Sequence, residues 1–421
     1  LKKKVVFMVL MILISALSHG EPLYRSERSP LKNFMKFAAE YDKTDFTDAM
    51  NVPFYMGKVN DKEKYFGKVR KIGKIFWDKH EKDFLSIIDN WEEIINTSLQ
   101  LSEPGKVDTT NTTPDITFCR QYSHMLSAVI EYLIGENRPE EALKLSALLY
   151  KFGQIMMSYD GDCYSFLTLT LGGVIARNAV TPNLGHALLS PKLSGDFLKK
   201  FEKLWDKMLS DKVDIKLAFD TEVFIGKNTT LKEAWEKSSE DTLKKFGGLT
   251  SAGELNKGWT RVNECLDTII REYYQMFEKT RKLPTHRNFD RAMRRYLERI
   301  DSIAEEPPSD MDTYLVHAHK LFRLAAPNYG AYPSHLKNEY TARGISILAK
   351  AVINEKHDSA EELKRGIEKY LTVDDFSEDR EKFIIKQKGS EIQVYSLGFN
   401  GCDDEGYEPN DFSVIRISYE K

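Results

Sequence analysis

The sequence is poor in the residues and patterns that usually announce chemistry. Four cysteines in 421 residues, Cys119, Cys163, Cys265 and Cys402, stand far apart and form no C-x-x-C, which excludes the commonest redox and zinc patterns. There is no G-x-S-x-G, no H-E-x-x-H and no G-x-x-x-x-G-K-[ST], so the familiar serine-hydrolase, zinc-peptidase and nucleotide-binding signatures are missing. His317 and His319 are two residues apart and would point about 160° from each other on a helix, a poor arrangement for sharing a metal. His124 and His335 are isolated. No strong excess of basic charge exists either: the net charge is −3, which argues against nucleic acid as a partner and gives no electrostatic reason to sit on an anionic membrane.

Long apolar runs are also scarce. The one that stands out, Val5 to Leu17, is broken only by Ser15 and preceded by Lys2-Lys3-Lys4. It is short for a membrane span and suits a secretory signal peptide over residues 1–20, with cleavage after Ser18 or Gly20. An uncleaved anchor is the alternative. Removing those three lysines takes the net charge to about −6, and no stable membrane span is expected afterwards. Export leads to an oxidising compartment, where disulfides are permitted, and Cys119 with Cys163 is the pair to expect there.

What is present reads as helix. Apolar residues make up 41% and charged residues 30% of the chain, ordinary for a globular protein with a busy surface. Within an N-terminal helical segment over residues 21–110, Phe66, Val69, Ile72, Ile75, Phe76, Phe84, Ile87, Ile88, Trp91, Ile94 and Ile95 recur at helical spacing. A helical unit over residues 111–330 begins with candidates at Ile116–Ile134, Pro139–Ser158 and Tyr164–Ala179. The join Gly135-Glu136-Asn137-Arg138-Pro139 closes one helix and opens the next. That hairpin resembles a tetratricopeptide hairpin, although no 34-residue period follows. Gly172-Gly173 suits close helix packing better than phosphate binding. Further helices are expected at Ser194–Leu209, Leu231–Phe246, Thr260–Arg281, Phe289–Ile303 and Met311–Leu324. Within the fourth of these, Arg291, Arg294, Arg295 and Arg299 fall on one broad face that could meet an acidic partner or the Asp-rich loop near the C-terminus. Glu298 partly neutralises that face, and a merely solvated surface is the alternative. Trp91, Trp235 and Trp259 could line a carbohydrate groove or serve as core.

Residues 331–421 form a small α+β module in this reading. The runs at Ile384-Ile385, Ile392–Leu397 and Phe412–Ile417 are short strands, and Lys388-Gly389-Ser390 turns the first into the second. The loop before the third holds Asp403, Asp404, Glu405, Glu408 and Asp411 among Gly398, Gly401 and Gly406. Crowded carboxylates repel unless a positive centre lies among them, and calcium is the natural hard cation. A solvated acidic loop is the alternative.

Tyr395-Ser396-Leu397-Gly398-Phe399-Asn400-Gly401-Cys402-Asp403-Asp404-Glu405-Gly406, with Asp411 beyond it, resembles the calcium-binding end of type II secretion major pseudopilins. It is still more similar to the tail of large exported bacterial proteins of planctomycete-like type. Tyr340–Tyr370 resembles the helix of such tails, and Asp374-Asp375-Phe376 stands where they often carry D-P-[FW]. Asp375 replaces that proline, Cys402 interrupts the loop, and no prepilin-type amino terminus occurs. Carried over by position, the resemblance implies a structural calcium held by the Leu397 carbonyl and by Asn400, Asp403, Asp404 and Asp411. The expectation is a mainly α protein: a multi-helix domain of packed antiparallel helices followed by a small module of helix plus short antiparallel sheet. It would be exported, non-catalytic, and engaged in binding or assembly with a protein or envelope component. A hydrolase of envelope polysaccharide or peptide, acting from a cleft in the helical part, is the alternative. Oligomeric state stays open.

Overall fold

Helices form where apolar residues recur at spacings of three and four, which gathers them on one face. The computed structural model describes residues 62–96, 116–157, 166–211, 252–280, 286–325, 331–355, 357–374, 377, 381–398, 403 and 412–419. Among these residues the fold is mainly α, twelve helices and then a three-stranded antiparallel sheet, which matches the expected class. The leader, the Cys119–Cys163 pairing and the helix expected at Leu231–Phe246 lie outside what is described. No helix among the described residues is long and apolar enough to cross a membrane.

The first helices follow the predicted pattern with local corrections. α1 (Lys62–Asp89) is kinked at His80, whose φ of −132° and ψ of 22° leave the helical region, and α2 (Trp91–Asn96) continues it. Val69, Phe76, Trp77, Phe84, Ile88, Trp91 and Ile95 are buried, whereas Ile75, at 56% exposure, lies beyond the edge of the apolar stripe. Trp91 packs against Phe197 and Phe201, so it belongs to the core and not to a carbohydrate groove. α3 (Ile116–Gly135) and α4 (Pro139–Met157) form the expected hairpin. Its left-handed residue is Asn137 (φ 56°) rather than Gly135, and the Arg138 N–H reaches back to the Leu133 carbonyl at 2.9 Å to close the helix. α5 (Phe166–Ala179) lies so close to α4 that a Cβ on Gly153 would stand 2.6 Å from the Gly172 carbonyl oxygen, so Gly153 is the glycine that this approach requires.

α6 (Leu184–Leu188) leads into α7 (Gly195–Ser210), which Ser194 caps by accepting from the Phe197 N–H at 3.1 Å. The far end of α7 is met from α4: Gln154 donates to the Met208 carbonyl, and the buried Lys151 ammonium lies 3.7 Å from Asp211. A cation there opposes the negative end of the helix dipole. α8 (Ala252–Thr280), α9 (His286–Glu305) and α10 (Thr313–Ala325) pack mainly on one another. Tyr273 sits between Tyr296 and Phe322, and Arg323 bridges to Asp301 and Glu305.

α11 (Ala331–Asn354) joins the helices to the sheet. It packs on α5, α6 and α7 on one side and on the last strand on the other. Ala342, Gly344, Ala349 and Ala351 keep it slim, and the fully buried Trp205 of α7 donates its indole N–H to the Ala342 carbonyl at 2.9 Å. α12 (Ala360–Tyr370) follows a break, so the single helix expected over Tyr340–Tyr370 is two. The cause is local: Ser359 accepts from the Glu362 N–H while the Glu362 carboxylate accepts from the Asp358 N–H, a reciprocal cap that starts a new helix. β1 (Ile384–Lys388), β2 (Glu391–Ser396) and β3 (Phe412–Ser418) pair in sequence order. The two-residue turn Gly389-Ser390 joins the first pair, with Gly389 at φ +62°, and a bulge falls between Val394 and Tyr395.

Gly344 gives the packing claim a direct test. An added Cβ would stand 2.2 Å from the Val414 carbonyl oxygen, backbone that cannot step aside alone. Gly344→Ala is expected to destabilise the protein by about 1–3 kcal/mol, despite the better helix propensity of alanine. Gly67→Ala, with nothing within 4 Å, should stabilise it by up to about 1 kcal/mol. Denaturant melts giving both variants the same sign would contradict the close approach.

Candidate functional site

The site begins where α12 ends. After Tyr370 the chain turns back on itself: Phe383 N–H donates to the Thr372 carbonyl, Val373 bridges to Lys382, and the Asp374 N–H donates to the Glu381 carbonyl at 2.8 Å. This places the Asp374 carboxylate, 1% exposed, beneath the end of β2. One of its oxygens accepts from the Ser396 hydroxyl at 2.9 Å and the other from the Leu397 N–H at 3.0 Å. Ser396 in turn accepts from the Gly398 N–H at 3.1 Å, and Gly398 adopts φ +63° to make the bend. A buried carboxylate is tolerated because each oxygen is met by a donor. The consequence is a fixed geometry for the entry to the acidic loop.

A second clamp holds Asp403. Its carboxylate accepts from the Tyr395 hydroxyl at 2.8 Å and from the Lys386 ammonium at 3.2 and 3.3 Å. Lys386 also stands 5.3 Å from the Tyr395 ring centre, so β1, β2 and the loop meet at one small cluster. Burial pushes the Tyr395 phenol up to about 12, helped by the Asp403 charge and opposed by the Lys386 ammonium. Lys386 is raised as well, first by the Tyr395 oxygen and then by Asp403, with slight desolvation acting the other way.

Of the five residues implied as calcium ligands, the structure places Leu397 at the end of β2 and Asp403 in the loop beside Tyr395. Asn400, Asp404 and Asp411 lie outside the described residues. Two donors do not make a calcium shell, which takes six to eight oxygens. The described part of the loop, moreover, meets the Asp403 charge with a lysine. Among the described residues no three His, Cys, Asp or Glu side chains gather as a metal-binding group. The residues that organise the site were not among the sequence-derived ligands. Asp374 was visible only through the resemblance, within Asp374-Asp375-Phe376 and with no role attached, and Lys386 carried no signal in the sequence.

Other buried polar groups close helix ends and joins. Glu131 accepts from the backbone and side-chain N–H groups of Asn183 at 3.1 and 2.7 Å. Ser127 donates to the Asn178 carbonyl at 2.6 Å, Asn178 donates to the Ser123 hydroxyl at 2.9 Å, and Ser146 donates to the Ala179 carbonyl at 2.8 Å. Together they fasten the end of α5 to α3 and α4. Searches against protein-family models, curated proteins and solved structures returned no match for the chain.

Asp374→Ala would strand the Leu397 N–H and the Ser396 hydroxyl in a buried position, at a cost of about 1–3 kcal/mol. Amide exchange should report it first at Leu397 and Gly398; unchanged protection there would refute the clamp. For Tyr395, a raised folded pKa means that the phenol is favoured in the native state. Its contribution is complete below the ordinary tyrosine value near 10 and is lost as pH rises through about 12. An ultraviolet tyrosinate titration of the protein minus that of Tyr395→Phe should show this late transition. A difference midpoint near 10 would contradict the burial of the Tyr395 side chain and its contact with Asp403.

Proposed function

We propose that this is an exported protein of the cell envelope or its surroundings that works by binding or assembly, with the C-terminal module as a stiff platform for the acidic loop. The observation that carries the reading is the double clamp. Asp374 fixes the loop's entry at Leu397 and Gly398, and Tyr395 with Lys386 holds Asp403. Anchoring on this scale suits a loop presented to something else. In this reading the Leu397 carbonyl, Asn400, Asp403, Asp404 and Asp411 would hold a structural calcium, and Lys386 would be its competitor for Asp403. Bound calcium would supply a divalent centre for the crowded carboxylates in place of the single lysine charge.

The hydrolase alternative calls for two carboxylates facing each other across a space that a substrate can enter. Glu202 and Asp206 are two carboxylates close enough to influence each other. Burial and the neighbouring Asp206 charge raise the Glu202 pKa, while Lys350 opposes them. The two lie one turn apart on α7, with the Lys350 ammonium 2.6 Å from Asp206 and 3.9 Å from Glu202, and Asp206 also accepts from Ser346. Their common task is fastening α7 to α11.

Two measurements test the proposal. Mass spectrometry of the envelope and medium fractions should find a chain that starts after Ser18 or Gly20; an intact chain confined to the cytoplasm would end the export claim. Calcium chelation should reduce hydrogen-exchange protection beyond Gly398 and leave α3–α7 unchanged. Identical exchange with and without calcium removes the ion from the reading.

A further inference from the structure

The exposed face of α9 is not used by the fold or by the site above. Phe289, Met293, Ile300 and Ala304 turn inward, while Arg291, Arg294, Arg295, Glu298 and Arg299 are exposed on the opposite side. Arg294 is paired with Asp290 at 3.0 Å. Arg291, Arg295 and Arg299, like the isolated Arg271 and Arg365, make no ion pair or hydrogen bond with a described residue, whereas Arg138, Arg261, Arg323, Arg343 and Arg416 reach carboxylates; only on α9 do three such arginines follow one another on one face. These three arginines are spaced by four, so their bases follow one another about every 6 Å along a single helix. Glu298 is the one acidic residue in their midst.

The choice of cation is informative. The chain has 42 lysines and 19 arginines, yet α9 carries five arginines and no lysine. A surface kept soluble needs only charge, which lysine provides. A row of guanidinium forks is suited to planar oxyanions held by two hydrogen bonds each. The three forks span only about 12 Å of one helix, the reach of carboxylates on a short acidic segment, whereas a nucleic acid or an anionic membrane calls for a more extended basic surface than a chain of net charge −3 offers.

We infer that the outer face of α9 is a docking surface for an acidic segment of a partner protein, whose Asp and Glu carboxylates pair with Arg291, Arg295 and Arg299. This rests on the reading of the chain as a binding protein and names the chemistry of a partner. It depends on α9 alone, so its failure leaves the export and calcium tests untouched.

The test uses the whole chain and a short fluorescein-labelled poly-glutamate peptide, followed by fluorescence anisotropy at about 0.15 M salt. Replacing Arg291, Arg295 and Arg299 together by Gln is expected to weaken binding about tenfold or more. Replacing all three by Lys, which keeps the charge and loses the forks, should weaken it about threefold. Arg365→Gln, an exposed change on α12, should leave it unaltered. Circular dichroism of each variant verifies that the helices persist. Absence of peptide binding, equal affinity in the Gln or Lys triple variants, or an equal loss in Arg365→Gln would overturn the inference. So would binding to anionic phospholipid vesicles or single-stranded DNA in place of the peptide.

Discussion

The burial of α11 is the constraint on which the remainder of the structure depends. A helix covered by α5, α6 and α7 on one side and by β3 on the other has little room for large side chains at both contacts. Its composition answers that demand with Ala342, Gly344, Ala349 and Ala351 at tight places and Ile345, Ile347, Leu348 and Val352 where volume is needed. The contacts it makes are also directional. Trp205 is stacked with Tyr150 and Phe201 at 5.0 and 5.3 Å, and its indole proton fixes α7 on the Ala342 carbonyl. On the opposite side, the Gly344 surface receives the Val414 backbone. The sheet is therefore not an appendage held by a linker; a three-stranded sheet of this size needs such a helix to cover its apolar face.

That arrangement explains how the C-terminal loop is held. Ile392, Val394, Ile415 and Ile417 are buried on the sheet, and α12 covers the other strands. Asp374, delivered by the turn after α12, reaches the end of β2 and fixes Leu397. The position of the loop is thus derived from packing about α11 through a short chain of hydrogen bonds. The arginine face of α9 lies on the three-helix group α8–α10, which has its own aromatic centre at Tyr273. Two candidate contact surfaces of opposite charge consequently belong to differently supported parts of the protein.

The helical class, the α3–α4 hairpin and the β1–β2 turn were legible in the sequence because each has a local cause: apolar spacing, Gly and Pro at helix ends, and a glycine able to adopt positive φ. What escaped depended on distant partners. α8 starts eight residues before its expected first residue, Thr260, and runs through Gly258, a residue that would ordinarily mark a break; it persists because Tyr314 of α10 occupies the space beside that glycine. Ile75 matched the apolar period, yet it remains 56% exposed. The break between α11 and α12 was written in Ser359 and Glu362 but was masked by the continuous apolar pattern around it. At the site, an acidic loop was visible from composition, whereas the clamps on it were not. Asp374 and Leu397 are 23 residues apart, and Lys386 and Asp403 are 17 apart, with no pattern linking either pair.

The central claim is that α11 makes the helical part and the sheet one cooperative unit. Native-state hydrogen exchange across a denaturant series tests it most directly, by comparing the opening free energies of amides in α7, α11 and β3. The account predicts that the three share the same opening and merge at low denaturant. If the β2 and β3 amides exchange through a separate opening while α7 and α11 remain protected, the sheet is an independent module and the account is contradicted.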